Sequence, residues 1–298
     1  MKETIEAREL IVLDGLDVII RGTYHKTRDD SSSARSSLNK RDRIGVLFLN
    51  SLSPTRAEHG DSAVYLADSF AEVGYPSFRL DLPGFGDSDG DTPAELLGFI
   101  NQGGYACIAS AKIRELAIRF NLSGVVIVGQ CAGAVSAIYT AASIKGCMGL
   151  VLLDPYFHLP QSINPKIRGK MQLWALQSRL GGMLSKIQGI LKEISLSVRG
   201  AAPPENANLP LLCRWKEVAS TGLPILILKA SSWKTSDIKP RVDGFDYLKY
   251  VRELAGRRSQ VVIKVLDGAD HYFASRLGRM IVRQRTEQWL NACFPNKA

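Results

Sequence analysis

Short apolar runs, separated by turns and by stretches of helical spacing, organise most of the chain. Near its start, Glu9-Leu10-Ile11-Val12-Leu13, the turn Asp14-Gly15 and Asp17-Val18-Ile19-Ile20-Arg21-Gly22 predict a β-hairpin. Residues 27–43 are polar, Ser-rich and highly charged, and read as a flexible surface loop because the strand pattern resumes directly after them. Strands are then predicted at 46–49, 76–81, 125–128, 149–153, 225–228 and 261–266, most of them apolar at successive positions, as in strands covered on both faces. Helical spacing falls at about 62–73, 103–120, 132–143 and 277–292. This alternation predicts an α/β fold, a mostly parallel central sheet with helices on both faces.

One stretch breaks the rhythm. Residues 155–222 separate two strands and are too many for an ordinary crossover. Their middle, 167–198, has helical spacing of Leu, Met, Trp and Ile, and Ala201-Ala202-Pro203-Pro204 ends it. The expectation is a helical lid over one end of the sheet, where ligands bind in such folds. The core would then comprise 1–154 and 223–298, and the lid 155–222.

With 298 residues, 45% of them hydrophobic, the chain can bury a large core without staples, which excludes a disordered or disulfide-knotted class. Lys and Arg number 38 against 29 Asp and Glu, a formal charge of +9. Part of that excess has an address: Lys166, Arg168, Lys170, Arg179, Lys186, Lys192 and Arg199 face only Glu193 between 161 and 200. A basic lid suits an anionic substrate, phosphopantetheine or an acidic acyl carrier protein, although a solvated helix face has the same composition. No nucleic-acid motif accompanies it, so nucleic acid is not expected as a partner. The apolar run 125–142 is broken by Gly129, Gln130 and Gly133, and the first residues are charged, so neither a spanning helix nor a signal peptide is expected. Trp174, Leu176 and Met183 leave a membrane-facing lid as a minor option, and a cytoplasmic protein is the default. Five cysteines without paired spacing argue against disulfides and a zinc site, and no metal or cofactor is expected.

The candidate chemistry begins at Gly129-Gln130-Cys131-Ala132-Gly133, directly after a predicted strand and before a helix rich in small residues. This is the nucleophile-elbow pattern G-x-S-x-G with cysteine as the nucleophile. The glycines permit a turn too tight for side chains, and the helix N-terminus favours thiolate. If the site is tuned to thiolate, Cys131→Ser should retain little activity. The competing reading is a Gly-rich turn around an inert thiol. Of four histidines, His271 alone lies just beyond a core strand near the chain's end, in Asp267-Gly268-Ala269-Asp270-His271; solvated or packing roles suit His25, His59 and His158 better. For the orienting acid, Asp154 ends the strand after the elbow and is favoured, with Asp237 the alternative and Asp243 a further one. The oxyanion hole should use the Ala132 N–H with a second amide from Ser51 or Leu52. Cys107, Cys147, Cys213 and Cys293 read as packing thiols.

Taken in order, Gly22-Thr23-Tyr24-His25, DLPGFGDS at 81–88, GQCAG, GLVLLDPY at 149–156 and GADHYFAS at 268–275 resemble an α/β-hydrolase of the serine-aminopeptidase-like or esterase-like type. Nearly the whole chain outside the Ser-rich loop is covered. The resemblance extends to the exosortase-A-system-associated hydrolases, which also place Cys in the elbow and carry an ADH-x-F segment. It implies the α/β-hydrolase fold and an acyl hydrolase acting on a small-molecule ester or thioester through Cys131, His271 and Asp154. The chain departs from the pattern at Ser232, where such proteins tend to have Asp, which leaves the acid open. Carrier-protein acyltransferases of this fold also hold the acyl group on an elbow cysteine, so acyl transfer between thioesters is the alternative. A non-catalytic binding protein is a third class.

Overall fold

The computed structural model describes residues 7–14, 18–31, 43–160, 202–232 and 245–295, with a few positions between 163 and 198. Eight strands form one sheet: β1 (Arg8–Leu13), β2 (Ile20–His25), β3 (Ile44–Leu49), β4 (Ser77–Leu80), β5 (Gly124–Gln130), β6 (Cys147–Leu153), β7 (Ile225–Ser232) and β8 (Val261–Asp270). Their order is β1-β2-β4-β3-β5-β6-β7-β8. β2 runs antiparallel to both neighbours, and the other pairs are parallel. The helices are α1 (Ser62–Glu72), α2 (Leu96–Asn101), α3 (Ala106–Arg119), α4 (Ala132–Ser143), α5 (Leu209–Ser220), α6 (Tyr247–Ala255) and α7 (Arg276–Cys293).

The apolar runs are continuous because each central strand feeds two cores. Side chains alternate across a strand, and the burial follows that alternation. Leu47, Val125, Ile127, Leu150, Leu152, Ile225 and Ile227 join one cluster with α3, α4, α5 and α6. Val46, Phe48, Val126, Val128, Val151, Leu153, Leu226 and Leu228 join the other with α1 and α7. Among the described residues no helix is long and apolar enough to cross a membrane.

Two boundaries differ from the sequence reading. The second hairpin strand begins at Ile20 rather than 17, because it must extend to His25 to pair with β4 from Gly22↔Leu80 to His25↔Ser77. β8 runs past Leu266 to Asp270, so most of the GADH segment is strand and carries His271 to the sheet end. The stretch expected as a lid, 155–222, contains α5, whose Leu211, Leu212 and Trp215 are buried in the cluster that also holds α4. The helix expected at 167–198 lies almost wholly outside the described residues, as does most of the loop expected at 27–43. Of that loop, Arg28–Ser31 forms a 3₁₀ turn in which Asp30 accepts from the Thr27 N–H at 2.9 Å and pairs with Arg43.

From β3 the chain crosses to β4 on one side, and from β4 it crosses back over β3 to β5 on the other, so the strand order reverses there. In open α/β sheets ligands bind at such a switch, outside the carboxyl ends of the strands. The ends of β3 and β5 are also where the Ser51–Leu52 and Cys131 candidates stand.

Candidate active site

Cys131 occupies a single-residue turn between β5 and α4 at φ 51° and ψ −115°, outside the regions an L-residue prefers. Two glycines and one hydrogen bond permit it. A Cβ on Gly129 would collide with the Gly133 carbonyl, and one on Gly133 would lie 2.7 Å from the Leu49 carbonyl oxygen and 2.8 Å from that of Asn50. The Cys131 N–H donates to the Leu153 carbonyl at 2.9 Å, tying the turn to β6. The neighbouring Ala132 N–H favours thiolate, but burial, reinforced by the charges of Asp154 and Glu58, pushes the thiol up to about 12. Burial thus opposes the thiolate that the helix N-terminus is expected to favour.

Asp154 follows β6 at φ 47° and is fully buried. His271 Nδ1–H donates to Asp154 Oδ2 at 2.5 Å, which leaves the imidazole Nε2 as the other ring nitrogen. The opposite oxygen, Oδ1, pairs with Lys229 Nζ and accepts from the Ala230 N–H at 3.4 Å. Burial pulls Lys229 downward, against the pull of Asp154. The turn bearing His271 is pinned from both sides. The Tyr272 N–H donates to Asp270 Oδ1 at 2.9 Å, and Gln130 Nε2, beside Cys131, donates to the His271 carbonyl at 2.9 Å. Asp237 and Asp243 lie outside the described residues.

The loop after β3 treats its two oxyanion-hole candidates differently. The Ser51 N–H donates to Glu58 Oε1 at 2.8 Å and its hydroxyl to Oε2 at 2.5 Å, so the Ser51 amide is already engaged. Leu52, the other candidate, has no hydrogen bond to its N–H among the described residues. Burial pushes the Glu58 carboxyl up to about 7 despite both hydrogen bonds from Ser51. Glu58 itself holds φ 62° and ψ 177°, a region populated almost only by glycine, at a cost on the order of 1–3 kcal/mol. Glu58 and Gln130 line a small cavity of about 20 Å³ together with Phe48, Val128 and Leu153.

The remaining candidates fall into supporting places. His25 is buried in a chain of polar contacts, donating from Nδ1 to Asp68 at 2.7 Å and accepting from Arg79 Nε at 2.8 Å. His158 is buried, and desolvation lowers it to about 4. His59 is exposed, its ring edge-on to Tyr272 at 4.3 Å. Asp81 is fully buried, pairs with Arg56 and accepts from the Arg56 N–H at 2.6 Å, holding the turn that contains Gly84 and Gly86. Cys147 is buried, Cys213 and Cys293 partly so, but Cys107 is exposed on α3 and is no packing thiol. Sequence reasoning missed Lys229 and Glu58. A lysine closing the run Ile225-Leu226-Ile227-Leu228 was the one available signal for the first; nothing in the sequence joins Glu58 to Ser51.

A family model described as "Alpha/beta hydrolase family" matches residues 46–278. No curated protein matches the sequence. Among solved structures, the Pyrococcus furiosus esterase PF2001 is similar with a TM-score of 0.62 at 15% identity, covering 96% of this chain and 91% of that one. The thioesterase domain from the curacin biosynthetic pathway gives 0.55 at 15% identity, over 94% and 99%. A membrane phospholipase A described as a bacterial virulence factor gives 0.52 at 16% identity, over 96% and 87%. At these identities the likeness is one of fold.

Proposed function

The chain belongs to the alpha/beta hydrolase family, and from that premise we propose that it is an acyl hydrolase of esters or thioesters working through Cys131. The observation that carries the reading is the buried hydrogen bond from His271 to Asp154 at the same sheet end as the strained Cys131 turn. With Nδ1–H held by the carboxylate, the imidazole presents Nε2 as a base. Because the thiol is protonated at rest, its proton moves to Nε2 as sulfur attacks the carbonyl carbon. The carbonyl oxygen takes up the charge and is received by the amides of Ala132 and Leu52. Collapse expels the alcohol or thiol, which leaves with the proton from His271, and the acyl group stays on Cys131 as a thioester. Water then attacks, gives its proton to His271, and the acid departs as the thiol is restored.

Intact mass after incubation with p-nitrophenyl acetate and with acyl-pantetheine tests this. A Cys131 adduct that decays to free acid is the expected result. An adduct stable until a second thiol or alcohol is added would replace hydrolysis by acyl transfer. Cys131→Ala should show neither adduct nor turnover, and normal turnover in that variant would sink the mechanism. A thiol protonated at rest also changes the expectation for Cys131→Ser. The site is arranged as it would be for a hydroxyl, so that variant should keep about 1% or more of ester turnover.

A further inference from the structure

The loop after β3 carries a carboxylate that the proposed chemistry does not use. Glu58 folds back onto both donors of Ser51, the N–H at 2.8 Å and the hydroxyl at 2.5 Å, and Ser51 Oγ in turn accepts from the Ser53 N–H at 3.2 Å. It does so from a backbone conformation at φ 62° that a side chain rarely adopts, and it shares the lining of a small cavity with Gln130, the neighbour of Cys131. Such outliers persist only where the surroundings over-determine them, and they gather where geometry is functional.

The clamp selects between two successive amides. Ser51 is turned onto Glu58, and of the pair Leu52 is the one without a partner among the described residues. The same segment is pressed against the elbow, since a Cβ on Gly133 would lie 2.8 Å from the Asn50 carbonyl oxygen. We propose that Glu58 is a positioning residue of the oxyanion hole, whose grip on Ser51 aims the Leu52 amide at the carbonyl oxygen of an acyl group on Cys131. The role rests on the reading of Cys131 as an acyl-accepting nucleophile.

Two reactions of the same sulfur separate this role from a purely structural one. Acylation by p-nitrophenyl acetate builds charge on a carbonyl oxygen and uses the hole, whereas alkylation by iodoacetamide does not. Both rates are to be followed at Cys131 by peptide mass spectrometry on the full chain. Glu58→Ala should slow acylation about 100-fold, as loss of an oxyanion donor does, with alkylation no slower than in the wild type. Glu58→Gln keeps an acceptor for the Ser51 N–H and should restore acylation to within about tenfold of the wild type. Ser51→Ala, which keeps the amide and loses the hydroxyl, should fall between them. Unchanged acylation in Glu58→Ala, or an equal loss of both reactions in Glu58→Ala and Glu58→Gln, overturns the proposal. A wild-type protein alkylated at Cys131 but acylated by no donor gives a separate answer: the reading of Cys131 as an acyl-accepting nucleophile fails, and this role for Glu58 fails with it.

Discussion

Two carboxylates flank Cys131, and their charges are balanced in opposite ways. Asp154, at the end of β6, meets a buried cation on one oxygen and the His271 N–H on the other. Among the described residues, the Glu58 carboxylate in the loop after β3 meets the neutral donors of Ser51 and no cation. Removing a carboxylate from water is expensive, and an ionic partner or several good hydrogen bonds must offset it. Around Asp154 the compensation is ionic. Around Glu58 the hydrogen bonds offset burial only in part, and the carboxyl is pushed up to about 7. The same functional group is thus held by charge on the side that orients the imidazole. On the side that receives the substrate oxygen it is held by geometry.

The sharpest way to break this contrast is at Asp154. Asp154→Asn should lower kcat for p-nitrophenyl acetate by about 10³- to 10⁴-fold with KM little changed, because the imidazole loses its preferred tautomer and orientation. A variant keeping more than about a tenth of wild-type kcat would move the role to Asp237 or Asp243.

Removing the cation is expected to act mainly on stability. Lys229→Met strands a buried carboxylate and should destabilise the fold by about 3–5 kcal/mol in urea denaturation. Adding Asp154→Asn to it should recover much of that loss, since neither charge then remains. Additive losses in the double variant would show that the pair is not the balance described.

At Glu58 the expected effect is smaller and depends on pH. Its folded-state value is raised from 4.5 to about 7, so the folded protein holds the proton more tightly than the unfolded chain does. The stability this provides is full below about pH 4.5 and is lost as pH rises through about 7. Glu58→Gln escapes that loss. Relative to wild type it should therefore gain about 1–3 kcal/mol between pH 4.5 and pH 8, read from urea midpoints at each pH. A difference that is flat with pH would mean that the carboxyl is not held against its burial.

The smallest effect is one of order rather than size. At pH 7.5 iodoacetamide should label the exposed Cys107 before the buried, protonated Cys131, followed by peptide mass spectrometry. Prior labelling of Cys131 would restore the resting thiolate that the helix N-terminus suggested.

Legibility followed sequence distance. The strands 125–128 and 149–153 could be read because both cores fall on an unbroken apolar run, and the elbow because five consecutive residues must make one turn. His271 was legible from its place after the last strand, although β8 turned out to run on to Asp270. The hairpin offset was not legible, because its register answers to β4, some fifty residues away. Helix α5 was hidden inside the stretch expected as a lid, because helical spacing does not say against what a helix packs. Lys229 and Glu58 escaped for a related reason. Each derives its role from a partner on another element or across a loop, and neither belongs to a local pattern.

By itself, then, the sequence determined the alternation of strands and helices, the tight turn at Cys131 and the position of His271. These depend on periodicity and local sterics, which act between near neighbours along the chain. Only the tertiary structure decided that a lysine and a histidine share the Asp154 carboxylate, that Ser51 is turned onto Glu58, and that burial pushes the Cys131 thiol up. Those outcomes depend on burial and on charges meeting across strands, and burial is a property of the packed chain, not of any segment of it.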